Sequence, residues 1–104
     1  MGKLGTEFSL EEAQDAARIA ALNVVAQAQH ALGSLDRVKT VLRVAVYLNS
    51  HPDNHQQSQA ANGASDLFLE IFGEAGRHTR MAVGVAALPY NVCAEVEAVF
   101  AVTT

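Results

Sequence analysis

The stretch Thr40-Val41-Leu42-Arg43-Val44-Ala45-Val46-Tyr47-Leu48 decides the fold of this 104-residue chain. Its β-branched residues predict a β-strand. Apart from Arg43, the residues on both faces of this predicted strand are apolar. This is typical of a central strand that is covered on two sides. One helical pattern precedes it in the chain and another follows it. The sequence therefore predicts an α+β domain organised around this strand.

The segment before this strand predicts a long helix. Ser9 and Glu12 have the spacing of a capping box, and Phe8 stands where a hydrophobic staple would form. Small apolar residues, mostly alanine, then recur every three or four positions as far as Ala31. Gly33 is a natural C-terminal stop. Because the apolar face consists of small side chains, the helix can approach a sheet closely.

A loop, a second helix and two further strands follow the central strand. The helix is expected from about His55 to Phe72, where Gly73 ends it. The two strands are expected at residues 80–85 and 92–102. With a short strand at the N-terminus, the predicted architecture is a two-layer α+β sandwich, in which two helices pack on one face of a mixed β-sheet.

Composition limits the class of protein. Half of the residues are hydrophobic and 17% are charged, which suits one packed domain over residues 1–104. A chain of this length buries only about 65% of its unfolded surface, which favours an oligomer. The net charge of −4 and the scattered arrangement of the seven cations disfavour nucleic-acid binding. A single cysteine fits a reducing compartment, and no apolar run reaches the roughly 18 residues of a membrane span. We expect a cytoplasmic protein without a membrane or nucleic-acid partner.

The last two strands carry the candidate site. Strand alternation separates an apolar row in each strand from a second row, which contains Arg80 in one strand and Glu95 and Glu97 in the other. The two apolar rows are Met81, Val83 and Val85, and Val92, Ala94, Val96, Ala98 and Phe100. If both rows pack under the helices and a hairpin turns near Pro89, Arg80 lies opposite the two glutamates on the helix-free face of the sheet.

This helix-free face is itself half apolar, since Val99 and Ala101 also lie on it. Such a face favours association of subunits, with clefts between them. An arginine in a cleft suits a substrate carboxylate, because its planar fork matches two oxygens. A nearby glutamate can position a water or transfer a proton. The alternative is a purely structural cross-strand pair between Arg80 and a glutamate.

The remaining reactive side chains are expected to be structural. His51 and His55 are four residues apart, but a proline and an aspartate between them predict a loop, and no metal site is expected. His78 is expected on the side of Arg80, as a surface or interface histidine rather than a base. Cys93 is expected to be a partly buried thiol rather than a nucleophile, because no histidine stands at a fixed spacing to activate it.

Several segments together match a family pattern. They are Asn62-Gly63-Ala64-Ser65-Asp66-Leu67, the run from Phe72 to Val85 (FGEAGRHTRMAVGV), Leu88-Pro89 and Glu95-Val96-Glu97-Ala98. These segments resemble the RidA/YjgF family, and in particular its longer branch. The resemblance covers the chain from about Gly2 to Val102.

The resemblance implies a chorismate-mutase-like fold and a homotrimer with ligand clefts between subunits, without a metal or an organic cofactor. It implies a 2-iminobutanoate/2-iminopropanoate deaminase, which hydrolyses reactive enamines and imines to 2-keto acids and ammonia. By position, Arg80 matches the arginine that binds the substrate carboxylate, Glu95 matches the glutamate at the water or proton-transfer position, and Asn62 matches an asparagine near the cleft. Glu97, from strand alternation, is added as a substrate contact. Some relatives have instead been described as ribonucleases or translation inhibitors.

Two departures from the family pattern affect the function. The chain resembles the family without its first strand hairpin, which contributes an aromatic and a hydroxyl residue to the cleft, so one edge of the sheet is expected to be open. Ala82 stands where the deaminases have a cysteine. The alternative function is therefore a non-catalytic trimer that binds small carboxylates or acts as a regulatory module.

Overall fold

The computed structural model describes residues 3–4, 9–51, 53–89 and 92–103. Its elements are helix α1 (Leu10–Leu32), strand β1 (Val38–Asn49), helix α2 (Gln57–Phe72), strand β2 (Thr79–Val85) and strand β3 (Ala94–Val102). Short 3₁₀ helices at Leu35–Arg37 and Gly73–Gly76 lead into β1 and β2. The two helices pack on one face of a mixed three-stranded sheet, which confirms the predicted α+β fold class.

Helix α1 has the ends that the sequence predicts. The Glu12 backbone N–H donates to Ser9 Oγ, and the Ser9 N–H donates to the Glu12 carboxylate, each at 3.1 Å, so both halves of the capping box form. Gly33 ends the helix at φ 82°, a left-handed conformation that favours glycine. The proposed staple involves Phe8, which lies outside the described residues. The buried face is Ala13, Ala17, Ala21 and Val25.

Small residues also bring α1 and α2 together. A Cβ added to Gly63 would lie 2.8 Å from the carbonyl carbon of Gln14, so this glycine marks a close backbone contact between the helices. The Gln14 side-chain amide donates to the Gln59 carbonyl oxygen at 2.9 Å. The largest fully buried side chain, Phe68, packs between α2 and the sheet, with its ring centroid 6.2 Å from that of Phe100. The core is therefore a set of alanines around an aromatic cluster.

Strand β1 is the centre of the sheet. It pairs in parallel with β2 and antiparallel with β3, in the order β2-β1-β3. The predicted hairpin between the last two strands is therefore wrong, because β1 lies between them. Buried Asn49, at the end of β1, binds the segment just before β3. Its backbone N–H donates to the Cys93 carbonyl oxygen at 2.9 Å, and its side-chain amide donates to the Val92 carbonyl oxygen at 3.3 Å. The Lys3 ammonium donates to Asn49 Oδ1 and to the Ala86 carbonyl oxygen.

The pairing register fixes which side chains share a face. Arg80 pairs with Val44, which pairs with Ala98 on its other side, so these residues lie on the helix-covered face. The adjacent row, which contains Met81 and Glu97, lies on the opposite face. This confirms the predicted orientation of β3 and reverses that of β2.

Small residues follow Arg80 in the helix-covered row of β2. A Cβ added to Gly84 would lie 2.7 Å from the Nε2 of Gln57, at the far end of a flexible side chain, and 3.2 Å from the Cβ of Ser50. Ala82 packs against the core from the same row. The larger side chains of Met81 and Val83 lie on the helix-free face, so the prediction that placed them under the helices is wrong.

The helix-free face of the sheet remains partly apolar, as predicted. Val99 on β3 is 45% exposed, and Leu42, at an irregularity in the β1–β3 register, is 50% exposed. Within the described segments no helix is long and apolar enough to cross a membrane.

Candidate functional site

Arg80 extends from the edge strand β2 over the flank of α2. Its Nη1 donates to Asn62 Oδ1 at 2.6 Å and to Ser65 Oγ at 3.4 Å, and its Nη2 donates to Ser58 Oγ at 3.4 Å. Residues 58, 62 and 65 have the i, i+4, i+7 spacing of a single helix face. The guanidinium is therefore held at three points by one helix.

This arrangement leaves one edge of the guanidinium for a ligand. An arginine carries five N–H donors in a planar fork, and α2 takes three of them from Arg80. No described residue accepts from the Nε–H or from the second Nη2–H. An Nε–H and the Nη2–H on the same edge of a guanidinium are the pair of donors that binds both oxygens of a carboxylate. Arg80 is exposed, so a ligand can reach them.

His78 lies two residues before Arg80 in the chain and therefore points to the same side of the strand. Its Nδ1 is 2.5 Å from the Gly76 carbonyl oxygen, and its Nε2 is 3.0 Å from Ser65 Oγ. Because a carbonyl oxygen only accepts, Nδ1 carries a proton; in the neutral ring, Nε2 then accepts from the Ser65 hydroxyl. The Phe68 ring packs edge-on against the imidazole, with the centroids 6.0 Å apart. Ser65 therefore connects His78 to Arg80.

The tight turn before β2 brings His78 to this position. Gly76 is buried, and a Cβ added to it would lie 2.9 Å from the Phe68 carbonyl carbon and 3.2 Å from Leu69 Cα. The 3₁₀ helix can pack directly on α2 only because this residue has no side chain. Strand β2 consequently starts beside the last turns of α2.

These residues line a surface groove of about 530 Å³. Its lining consists of Ser65, Leu69, Arg77, His78 and Arg80. Arg77 lies within 3.2 Å of the Glu74 carboxylate, and both side chains are highly exposed. Among the residues that line the groove none is acidic, although the protein carries a net charge of −4. The groove therefore favours a small anionic ligand with an apolar part beside Leu69.

Within one chain, the predicted partners Glu95 and Glu97 do not reach Arg80. They lie on β3, which β1 separates from β2, and they face away from the helices. The expected juxtaposition of Arg80 with these glutamates is therefore wrong. Glu97 instead lies 3.6 Å from Arg43 Nη1, and Glu95 is exposed on the edge strand β3. Asn62 is the predicted site residue that the structure does bring to Arg80.

Ser58, Ser65 and His78 complete the site, although the sequence analysis did not assign them to it. A signal for them is present in the sequence. Polar side chains at 58, 62 and 65 form one stripe on a helix that is otherwise rich in alanine, and His78 stands at the two-residue spacing from Arg80 that places both on one side of a strand.

The other reactive side chains lie away from this groove. His51 Nδ1 accepts from the Asp53 backbone N–H at 3.1 Å, and His55 is exposed. No group of three or more histidine, cysteine, aspartate or glutamate side chains in the described part of the chain could hold a metal ion. Cys93 is buried, and this burial raises the pKa of its thiol above the ordinary value. A higher pKa lowers the thiolate fraction and makes the residue a poor nucleophile.

Comparisons with known proteins agree with this fold. A family model described as "YjgF/chorismate mutase-like, putative endoribonuclease" matches residues 1–102. Protein TCP17 of Trypanosoma cruzi is 55% identical over 98 residues, which make up 93% of this chain and 61% of that protein. A crystal structure of a protein of unknown function from Agrobacterium tumefaciens matches with a TM-score of 0.95 and 37% identity, over 97% of this chain and 65% of the other.

A crystal structure from Shewanella oneidensis, described as that of a "putative endoribonuclease", matches with a TM-score of 0.89 and 43% identity, over 91% of this chain and 63% of the other. The chain thus spans 61% to 65% of the length of these three proteins. The family model covers nearly all of the sequence, and the solved structures share its arrangement of helices and strands. The chain belongs to the YjgF/chorismate mutase-like family.

Proposed function

We propose that this protein is an imine deaminase, which hydrolyses 2-imino acids and their enamine tautomers to 2-keto acids and ammonia. The observation that carries the proposal is the exposed Arg80 guanidinium, which α2 holds by three hydrogen bonds, while its Nε–H has no acceptor among the described residues. Every 2-imino acid has a carboxylate next to the reacting carbon, so an immobilised arginine fork positions that carbon in the groove.

The groove suits the remaining part of such a substrate. Leu69 offers an apolar wall for a short side chain, and the absence of acidic side chains among the lining residues avoids repulsion of the carboxylate. Hydrolysis adds water to C2 and expels ammonia without a net change of oxidation state. The proposal therefore includes no metal and no organic cofactor.

A homotrimer is part of this proposal. The exposed side chains of Val99 and Leu42 make the helix-free face partly apolar, which supports its use as a subunit interface. Family members are typically small oligomeric modules. Glu95 and Glu97 enter the proposed site only as residues of a neighbouring subunit, because β1 separates them from Arg80 within one chain. A cytoplasmic location, suggested by the single cysteine, belongs to the same proposal.

The first alternative is a module that binds small carboxylates without turnover, because the held arginine fork serves binding as well as catalysis. The second is an endoribonuclease, as the description of the Shewanella protein suggests for that protein. The net charge of −4 opposes binding along a phosphate backbone, so we place this second alternative below the first.

The test measures formation of 2-keto acid from 2-iminopropanoate, generated in situ from alanine by an amino-acid oxidase, against the uncatalysed rate. We expect acceleration by the wild-type protein. Arg80→Ala is expected to lower kcat/KM about 10- to 150-fold, since a hydrogen-bonded charge is worth about 1.5–3 kcal/mol. Arg37→Ala serves as a matched control, because Arg37 donates to the Leu32 and Thr103 carbonyl oxygens and lies outside the groove.

Each alternative has its own result in this test. Saturable binding of pyruvate that depends on Arg80, without any acceleration, would establish the binding module instead. Cleavage of RNA by the purified protein that persists in Arg80→Ala would assign a separate activity to another surface.

A further inference from the structure

We infer that Ser65 and His78 form the proton-transfer pair for the water that attacks the substrate held by Arg80. The inference rests on the proposed function and deepens it, because it assigns the base to the chain that also carries the arginine. Within that chain Glu95 cannot serve, since it lies on the other face of the sheet beyond β1.

The Ser65 hydroxyl lines the groove and has an acceptor position without a partner in the described part of the chain. Only 8% of the residue is exposed, and it lines the groove beside Arg80. A hydroxyl donates one hydrogen bond and accepts two. Toward a neutral imidazole, Ser65 donates to His78 Nε2 at 3.0 Å, and it accepts from Arg80 Nη1 at 3.4 Å. The second acceptor position is therefore available to a water molecule placed beside the bound imine.

His78 is held in the orientation that a base requires. Its Nδ1–H donates to the Gly76 carbonyl oxygen, so in the neutral ring Nε2 is the acceptor that faces Ser65. The Phe68 ring packs against the imidazole and limits its rotation. A reactive hydroxyl, a histidine within hydrogen-bond reach and a third group that orients the histidine form the arrangement by which enzymes move a proton away from an attacking oxygen.

The proton movements balance without another reactant. The water oxygen forms a bond to C2 as the π electrons of the C=N bond move to nitrogen. The water proton passes to Ser65 Oγ while the hydroxyl proton of Ser65 passes to His78 Nε2. That proton returns along the same path to the substrate nitrogen and gives a tetrahedral carbinolamine. The carbinolamine hydroxyl proton then passes through Ser65 and His78 to the amino nitrogen as the C–N bond breaks, so the products are the 2-keto acid and ammonia, and the Ser65–His78 pair returns to its starting state.

The experiment compares kcat and KM for 2-iminopropanoate in the wild-type protein and five variants, one of which, Glu95→Gln, removes the carboxylate that a neighbouring subunit could supply. Ser65→Ala removes the hydroxyl. His78→Gln keeps a hydrogen-bonding group near Ser65 but cannot accept a proton, and His78→Ala leaves space for added imidazole. His55→Ala is the control, because His55 is exposed and lies outside the groove.

We expect Ser65→Ala and His78→Gln each to lower kcat by about 100-fold or more, the usual contribution of general acid–base catalysis. KM should stay within about threefold of the wild-type value, because Arg80 still binds the carboxylate. Added imidazole should restore part of kcat in His78→Ala and none in Ser65→Ala. A purely structural role of His78 would give no such rescue.

The outcomes separate this inference from the proposed function. If the wild-type protein accelerates hydrolysis and Ser65→Ala and His78→Gln retain its kcat, the inference is overturned while the proposed function stands. Loss of kcat in Glu95→Gln together with full activity of His78→Gln would likewise assign the base to a neighbouring subunit. If the wild-type protein gives no acceleration, the proposed function fails, and this inference fails with it.

Discussion

Replacement of Gly63 by alanine tests the close contact between the two helices. A Cβ at this position would lie 2.8 Å from the carbonyl carbon and 3.0 Å from the Cα of Gln14, and it would overlap the carbonyl oxygen. These are backbone atoms, so no side-chain rotation relieves the overlap. Gly63→Ala must therefore push α2 away from α1.

The size of the effect follows from opposing contributions. Alanine is favoured over glycine inside a helix by about 1 kcal/mol, so without the contact the substitution would stabilise the protein. Overpacking against backbone lies at the upper end of the usual range, about 3 kcal/mol. Separation of the helices also breaks the 2.9 Å hydrogen bond from Gln14 to the Gln59 carbonyl oxygen, which is worth about 1 kcal/mol. The expected net loss of unfolding free energy is about 3 kcal/mol.

For a domain of about 100 residues this loss corresponds to a decrease in Tm of roughly 12–24 °C. The assay is thermal unfolding followed by circular dichroism, with Gln59→Ala as a control on the same helix. The control adds no atoms, and we expect it to change stability by about 0.5 kcal/mol at most. A Gly63→Ala variant that is as stable as the wild-type protein would refute the close contact. Because Asn62 and Ser65 flank this position, the variant should also bind pyruvate more weakly.

Three further predictions concern stability and reactivity. Phe68→Ala removes the largest fully buried side chain and should cost about 3–5 kcal/mol in denaturant unfolding; a cost below about 1 kcal/mol would contradict the core described above. Arg18 lowers the pKa of the Glu70 carboxyl through a hydrogen bond and its charge. The wild-type protein should therefore be slightly more stable than Glu70→Gln at neutral pH, and this difference should disappear as the pH falls through the lowered folded-state pKa. A difference that grows toward acid pH would contradict this prediction. Burial raises the pKa of Cys93, so a disulfide reagent should modify it slowly in the native protein and completely in guanidinium; rapid modification of the native protein would show that the thiol is accessible.

The sequence was sufficient to predict the elements and their class because the deciding signals are local. Ser9 and Glu12 satisfy the first N–H groups of α1 through contacts three residues apart, and Gly33 ends it through its own backbone conformation. The apolar stretch from Thr40 to Leu48 lies within the central strand β1. None of these assignments depends on a residue far away in the chain.

Strand order and the face of β2 were not predictable in the same way. Alternation in β2 identifies two rows, but both rows are largely apolar, so alternation alone does not say which row faces the helices. The answer lies in the pairing of β2 with β1, which places Arg80 and Ala82 in the row under the helices. Strand β3 pairs with the other edge of β1, where Asn49 donates to the carbonyl oxygens of Val92 and Cys93.

The candidate site was predicted in part. The resemblance to the family predicts Arg80 and Asn62 as site residues, and the structure places Arg80 Nη1 2.6 Å from Asn62 Oδ1. Strand order separates Glu95 from Arg80 within one chain. Ser65 and His78 belong to different elements, and the buried turn at Gly76 brings them together.

The central claim is that the fork of Arg80, held by α2, binds a carboxylate. The most direct measurement is the NMR signal of the Arg80 side-chain Nε–H in a ¹⁵N-labelled sample of the 104-residue chain during titration with pyruvate, assigned by its loss in Arg80→Lys. The account predicts a saturable shift of this signal and a smaller one for Arg77. An unchanged Arg80 signal, or a saturable shift confined to Arg77, would contradict it.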